Sequence, residues 1–344
     1  MSLWQVNIKF GFYFGMDITN EVLIGGIRSG NKRLLAKAIT LVESKKPEHR
    51  EQAEALLQEI MPFSGNSVRI GITGVPGAGK STFIESFGKL AIEKGHKVAV
   101  LAIDPSSSLN KGSILGDKTR MEELAREENA FIRPSPSSGF LGGIANTTFE
   151  TMLLCEAAGY DCILIETVGV GQSEVLVSEI TDVFLFLKIT GGGDELQGIK
   201  RGIMEMVDLI FINKVDSENR LAAKRTKTEL MRALHFLHPK EKDWKVPVVL
   251  GSALNHEGLK DVYSNIERFI ELKRISGRFQ EVRMLQAANR FEFWVQEYIR
   301  IMTQKENSAE NLFIQHKKNA SELKANPSSE AKKFVNEILK KTIS

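Results

Sequence analysis

Between about residues 66 and 270 the chain alternates two hydrophobic rhythms. Short, unbroken apolar runs occupy 68–73, 97–103, 129–133, 161–166, 183–189, 208–213 and 246–250. Between them lie longer stretches with apolar residues at helical spacing, such as Phe83, Ile84, Phe87, Leu90 and Ala91. A strand with helices on both faces has no polar face, so continuous runs of this length predict strands buried between helical layers. The alternation predicts an α/β fold of three layers around a mostly parallel sheet.

Both flanks read as helical. Within 16–62, Leu34, Leu35, Ala38, Ile39 and Leu41 form one stripe, and Ala53, Leu56, Leu57 and Ile60 another, closed by Pro62. The strand pattern stops after residue 270. Residues 271–344 are expected to form a helical arm that pairs with a second copy of the chain, the alternative being that it folds back on its own central domain. Phe279, Leu285, Phe291, Trp294, Val295, Tyr298 and Ile301 cover too much of a helix's circumference to stand in water. The expected divisions are therefore an extension at 1–15, an arm at 16–62, a central domain at 63–270 and the arm at 271–344.

One segment of that central domain names its chemistry. Gly74-Val75-Pro76-Gly77-Ala78-Gly79-Lys80-Ser81 matches the phosphate-loop pattern in full, between an expected strand and an expected helix. Glycines let backbone N–H groups curl around a phosphate. Lys80 is expected to reach the β/γ-phosphates, and the Ser81 hydroxyl, beside Thr82, to ligate Mg²⁺. A second motif selects the base. Asn213-Lys214-Val215-Asp216 follows an apolar run. The Asp216 carboxylate can accept from both N1–H and the exocyclic amine of guanine, a donor pair that adenine lacks. Asn213 is expected to hold the loop and Lys214 to pack along the base. Ser252-Ala253-Leu254 stands where a backbone N–H would meet the guanine carbonyl. The expected ligands are thus GTP and GDP with Mg²⁺, on a P-loop GTPase domain.

Acidic strand ends complete the expected site. Asp104 ends one run and is expected to face Mg²⁺ and the γ-phosphate; Asp117 lies in the charged loop that follows. Glu166 ends another, three residues before Gly169, whose N–H is expected at the γ-phosphate. GTPases usually carry Asp where this chain has Glu166, and a Gln directly after the Gly; here Gln172 comes two residues too late. A Gln-positioned water is therefore not expected. Asp104, Asp117 or Glu166 orients the water instead, and acidic residues at strand ends also serve as caps and turn formers. Gly191-Gly192-Gly193 reads as a hinge leading into a charged helix.

Composition narrows the class. The chain has 344 residues, 42% hydrophobic and 26% charged, with a net charge of +3. That charge is too small to imply a nucleic acid or an anionic membrane, and no apolar run approaches the ~18 residues of a span. Two cysteines, Cys155 and Cys162, exclude a disulfide framework and fit a reducing, cytoplasmic compartment.

Taken together, GVPGAGKSTFIE (74–85), AIDPSSS (102–108), GSILGDKTRM (112–121), ETVGVGQSE (166–174), GGGDELQGIKRGIMEMVD (191–208) and NKVD (213–216) resemble the methylmalonyl-CoA mutase-associated GTPases of the MeaB/ArgK type. The resemblance covers about 60–270 densely. It implies a GTPase that assists a cobalamin-dependent acyl-CoA mutase, gating adenosylcobalamin delivery and protecting the mutase. It also implies a homodimer through the helical arms and a switch at 191–202 that talks to the mutase. Thr190 stands where relatives often carry a proline. Two alternatives are a metal-loading GTPase and a kinase of a basic amino-acid transport system. The first lacks a Cys-x-x-Cys or His-rich tract to hold soft cargo; the second lacks an acceptor-binding motif.

Overall fold

The computed structural model describes residues 18–44, 46–103, 121–135, 141–167, 173–190, 201–216, 218–237, 240–241, 243–305, 307–321 and 326–343. Seven strands form among them: β1 (Val68–Gly74), β2 (Val98–Ile103), β3 (Ala130–Ser135), β4 (Cys162–Thr167), β5 (Val183–Ile189), β6 (Leu209–Asn213) and β7 (Val248–Leu250). They make one sheet in the order β3-β2-β4-β1-β5-β6-β7, and every pairing is parallel. Each expected run overlaps one of these strands, with ends that differ by up to two residues. β7 is shorter than its apolar run because Pro247 has no N–H to give a ladder. Pro134 is tolerated in β3 because β3 lies at the sheet's edge.

The unbroken hydrophobicity of the strands serves two cores. Ala99, Leu101, Ile163, Ile165, Phe184, Phe186, Ile210 and Ile212 point to one face. Val98, Val100, Leu164, Leu185, Leu187, Leu209 and Phe211 point to the other. The first core is covered by α1 (Asn20–Arg28), α2 (Lys32–Val42), α3 (Pro47–Ile60) and α6 (Leu141–Ala157), with α7 (Ser173–Ser178), α8 (Arg201–Met206) and α9 (Arg220–His235). The second is covered by α4 (Lys80–Glu93), α5 (Glu122–Arg126) and α10 (Leu259–Ile275).

At the N-terminal edge of the sheet, aspartates stitch neighbouring strands. Asp161, Asp182 and Asp208 each stand one residue before a strand. Their carboxylates accept from the backbone N–H of Lys97, Arg69 and Phe184 respectively, at 2.8 Å in each case. These bonds satisfy amides that the ladder leaves open at strand starts. Burial raises the Asp208 carboxyl above the usual range. A buried Arg69–Glu156 pair (2.8 Å), which also takes the Ser67 hydroxyl, locks α6 to the start of β1.

The chain divides into two compact units, Met1–Phe279 and Gln280–Ser344. α11 (Arg278–Lys305) begins in the first. Phe279, expected among the arm residues that a second copy covers, is instead buried in the second core of the first unit, under the Arg274 guanidinium. In the second unit α12 (Asn307–Ser321) and α13 (Pro327–Ile343) pack as a hairpin through Phe313 and Phe334 (5.5 Å). His316 lies between the Glu330 (2.8 Å) and Glu337 (3.5 Å) carboxylates.

Candidate functional site

In a parallel sheet all strand C-termini reach the same edge, and ligands bind where the connections diverge. β1 is central, between β4 and β5. Its C-terminal loop, 75–79, turns directly into α4, so the first N–H groups of α4 face the space above the sheet. Gly77 (φ 78°) and Gly79 (φ 85°) hold the left-handed conformations that this turn requires. A Cβ on Gly79 would also stand 2.7 Å from the Asn213 amide nitrogen. The glycine therefore keeps open the space where the two sequence motifs meet.

Lys80 starts α4 and is buried. Its ammonium donates to the Gly74 carbonyl at 2.8 Å and approaches that of Val75 at 3.4 Å. Burial lowers its pKa, and the charges of Glu166 and Glu174 pull it back up. Next to it, Ser81 Oγ lies 3.4 Å from Glu166 Oε1. Glu166 is buried at the end of β4. Thr167, which follows, hydrogen-bonds to Thr73 Oγ1 at 3.0 Å and so ties β4 to β1 just below the phosphate loop. Glu174, on α7, is 1% exposed and was not singled out from the sequence. Its signal was its place in the ETVGVGQSE segment. The hydroxyl and carboxylate oxygens of Ser81 and Glu166 are hard ligands, the kind Mg²⁺ takes beside phosphate oxygens.

The loops expected to read the base converge on the same edge. Asn213 ends β6, and its carboxamide bridges two loops. Nδ2 donates to the Ala78 carbonyl (2.8 Å), and Oδ1 accepts from the Ala253 N–H (2.9 Å). Lys214 adopts a left-handed backbone (φ 59°), with its side chain running past Gly79. Asp216 Oδ1 accepts from the N–H groups of Glu218 and Asn219 (3.1 and 2.9 Å), which orients the carboxylate at the entrance to α9. The Ser86 hydroxyl donates to the Ala253 carbonyl at 2.8 Å, fixing the third loop to α4. Within Ser252-Ala253-Leu254, two amides are already engaged. Ser252 N–H donates to Glu257 O and Ala253 N–H to Asn213. Leu254, 76% exposed, has the amide that makes no hydrogen bond among the described residues.

The structure thus brings together the phosphate loop, Lys80, Ser81, Thr82, Glu166, Asn213, Lys214, Asp216 and 252–254 at one edge. Asp104, Asp117, Gly169 and the 191–200 hinge lie outside the described residues. Cys155 and Cys162 are buried and free. Burial pushes the Cys162 thiol up to about 12 and Cys155 higher still, so neither offers the thiolate that a soft metal needs. No helix of the described residues is long and apolar enough to cross a membrane.

A family model described as methylmalonyl Co-A mutase-associated GTPase MeaB matches residues 35–309. The chain belongs to the MeaB family. Its relatives include the probable GTPase Rv1496 of Mycobacterium tuberculosis, 51% identical over 78% of this chain and 80% of that protein. GTPase ArgK of Escherichia coli is 50% identical over 81% of this chain and 82% of its own length. The mouse protein named methylmalonic aciduria type A homolog, mitochondrial, is 47% identical over 77% of this chain and 66% of its own. Among solved structures, one titled LAO/AO transport system kinase aligns with a TM-score of 0.74 at 38% identity. It covers 95% of this chain and 100% of that one. This MeaB-family chain is accordingly a P-loop GTPase that binds and hydrolyses GTP.

Proposed function

We propose that this MeaB-family GTPase is a chaperone of an adenosylcobalamin-dependent acyl-CoA mutase, methylmalonyl-CoA mutase, gating delivery of the cofactor and protecting the mutase. The observation that carries this reading is the family match across 35–309, on a site whose base-reading and phosphate loops are joined by a single side chain. A switch of this build can report nucleotide state to a partner.

In this reading Gly74 to Thr82 cradle the phosphates and Lys80 leaves the Gly74 carbonyl for the β/γ-phosphate oxygens. Asp216 reads guanine, Lys214 packs along the base, and the Leu254 amide meets the guanine carbonyl. Ser81, Asp104 and Glu166 hold Mg²⁺, which when bound neutralises charge on the β- and γ-phosphates. Asp104, Asp117 or Glu166 orients the attacking water, and the Gly169 N–H faces the γ-phosphate. The chain works as a homodimer, through the exposed apolar face of α11, in the cytoplasm.

The decisive experiment is GTP turnover by the purified protein alone and with purified methylmalonyl-CoA mutase. With no Gln directly after Gly169, turnover alone is expected to be slow. The mutase is expected to accelerate it, towards the ~10³–10⁵-fold that GTPase-activating partners supply. Fast turnover that no mutase alters would overturn the proposal.

A further inference from the structure

Against the first core, α8 and α9 border a groove of about 360 Å³ whose lining shares no residue with the candidate nucleotide site. Its floor is apolar, with Met204, Val207, Leu234, Leu237 and Val246. Its rim is basic: Lys240, Lys245 and His235 stand against one lining carboxylate, Glu205. The charge continues along α9. Lys224, Arg225 and Arg232 are exposed on that helix, whose one carboxylate is Glu229. No ion pair engages Arg225, Arg232 or Lys245 among the described residues. Two large apolar side chains beside the groove also stand in solvent: Met231 is 54% exposed and Phe236 83% exposed.

An apolar concavity of this size, bordered by cations of which Arg225, Arg232 and Lys245 make no ion pair among the described residues, is open to a complementary surface. A phosphate backbone or a lipid headgroup layer answers the cations and leaves the floor unfilled. An amphipathic helix answers both, with apolar anchors in the groove and carboxylates at the rim. Position adds a reason. α8 continues directly from the 191–200 segment, and α9 begins at the turn capped by Asp216. A helix lying on both would touch the two elements joined most directly to the hinge and the base reader.

We propose that this groove receives an acidic amphipathic helix of the partner protein. The inference rests on the proposed function for the partner's identity, methylmalonyl-CoA mutase. It adds the surface and the chemistry by which that partner is held.

Binding of purified mutase to the full-length protein is measured in GTP and in GDP, for the wild type and two variants. One is Arg225→Glu/Arg232→Glu/Lys245→Glu; the other is Met231→Ala/Phe236→Ala. All five side chains are exposed, so thermal unfolding and basal GTP hydrolysis are expected to stay at wild-type values. Each variant is expected to bind mutase at least about tenfold more weakly, and the charge variant to lose most of the wild type's salt dependence. Wild-type binding by both variants overturns the groove and leaves the proposed function standing. No binding by the wild type in either nucleotide overturns both. A variant that binds mutase normally but changes mass in light scattering assigns the groove to a second copy of the chain. One that binds mutase normally but leaves anionic vesicles assigns it to lipid. Either result overturns the inference.

Discussion

At the residue scale the site is poised by groups that occupy each other's ligand positions. The Lys80 ammonium rests on the Gly74 carbonyl, where it is partly desolvated before any phosphate arrives. Lys80→Ala is expected to abolish turnover and weaken GTP binding, since a contact to a charged group contributes about 1.5–3 kcal/mol; titration with GTP and a turnover assay check this. Gly79→Ala tests the meeting of the two motifs. Its Cβ would stand 2.7 Å from Asn213 Nδ2 at a φ of +85°, so both affinity and thermal stability are expected to fall. Asp216→Asn is expected to shift preference from GTP to xanthosine triphosphate, because the amide can donate to the xanthine carbonyl. Competition between the two nucleotides reads it, and a mutant that keeps the wild-type preference removes Asp216 from base reading. Much of this was legible in sequence, because the phosphate loop and the guanine motif are contiguous and each residue's chemistry follows from its type. The Asn213–Ala253 bond was not. It joins residues 40 positions apart through the crossing of two loops, and no spacing rule encodes that. Glu174 escaped for a similar reason: a Glu on a short helix looks solvated until the fold buries it.

At the element scale, the strands were the most readable part of the chain. Burial on both faces leaves an unbroken apolar run, and β5 spans the expected 183–189. Where pattern and strand differ, as at Pro247, the missing N–H decides. The arm helices were less readable, because α12 and α13 bury only part of their surface. Their hairpin carries an acid-sensitive contact. Glu330 accepts from Lys333, His316 and Asn319, which hold its carboxyl at about 2. A carboxylate with a lowered pKa in the folded state contributes stability that is complete above its unfolded value and is lost as pH falls toward the folded one. The difference in melting temperature between wild type and Glu330→Gln is therefore expected to be largest above pH 5 and to shrink as pH falls toward 2. A gap independent of pH would detach Glu330 from the hairpin's stability.

At the scale of the whole molecule, α11 carries the question of assembly. Met284 (72%) and Phe291 (70%) are exposed, with Leu285 and Ile299 also in solvent. Trp294 meets Phe293 edge to face and Tyr298 at a tilt within the helix. An apolar face of this extent calls for a cover, and a second copy supplies one by symmetry. The division of the chain fixes where to cut. Ending it after Gln280 keeps Phe279 in its core, so the shortened protein is expected to remain folded and to be monomeric by light scattering, with the full chain dimeric. A dimer that survives the cut moves the interface elsewhere, and a monomeric full chain removes it.

The Asn213 carboxamide has one more consequence. One rigid planar group joins the phosphate loop to the 252–254 loop, so on the proposed reading each half of a nucleotide is expected to prepare the pocket for the other half. Thermodynamic reciprocity then requires that guanosine tighten pyrophosphate by the same factor that pyrophosphate tightens guanosine. A regulator that loosens either end is then expected to weaken the hold on the whole nucleotide, so an exchange signal would not need to reach the phosphates.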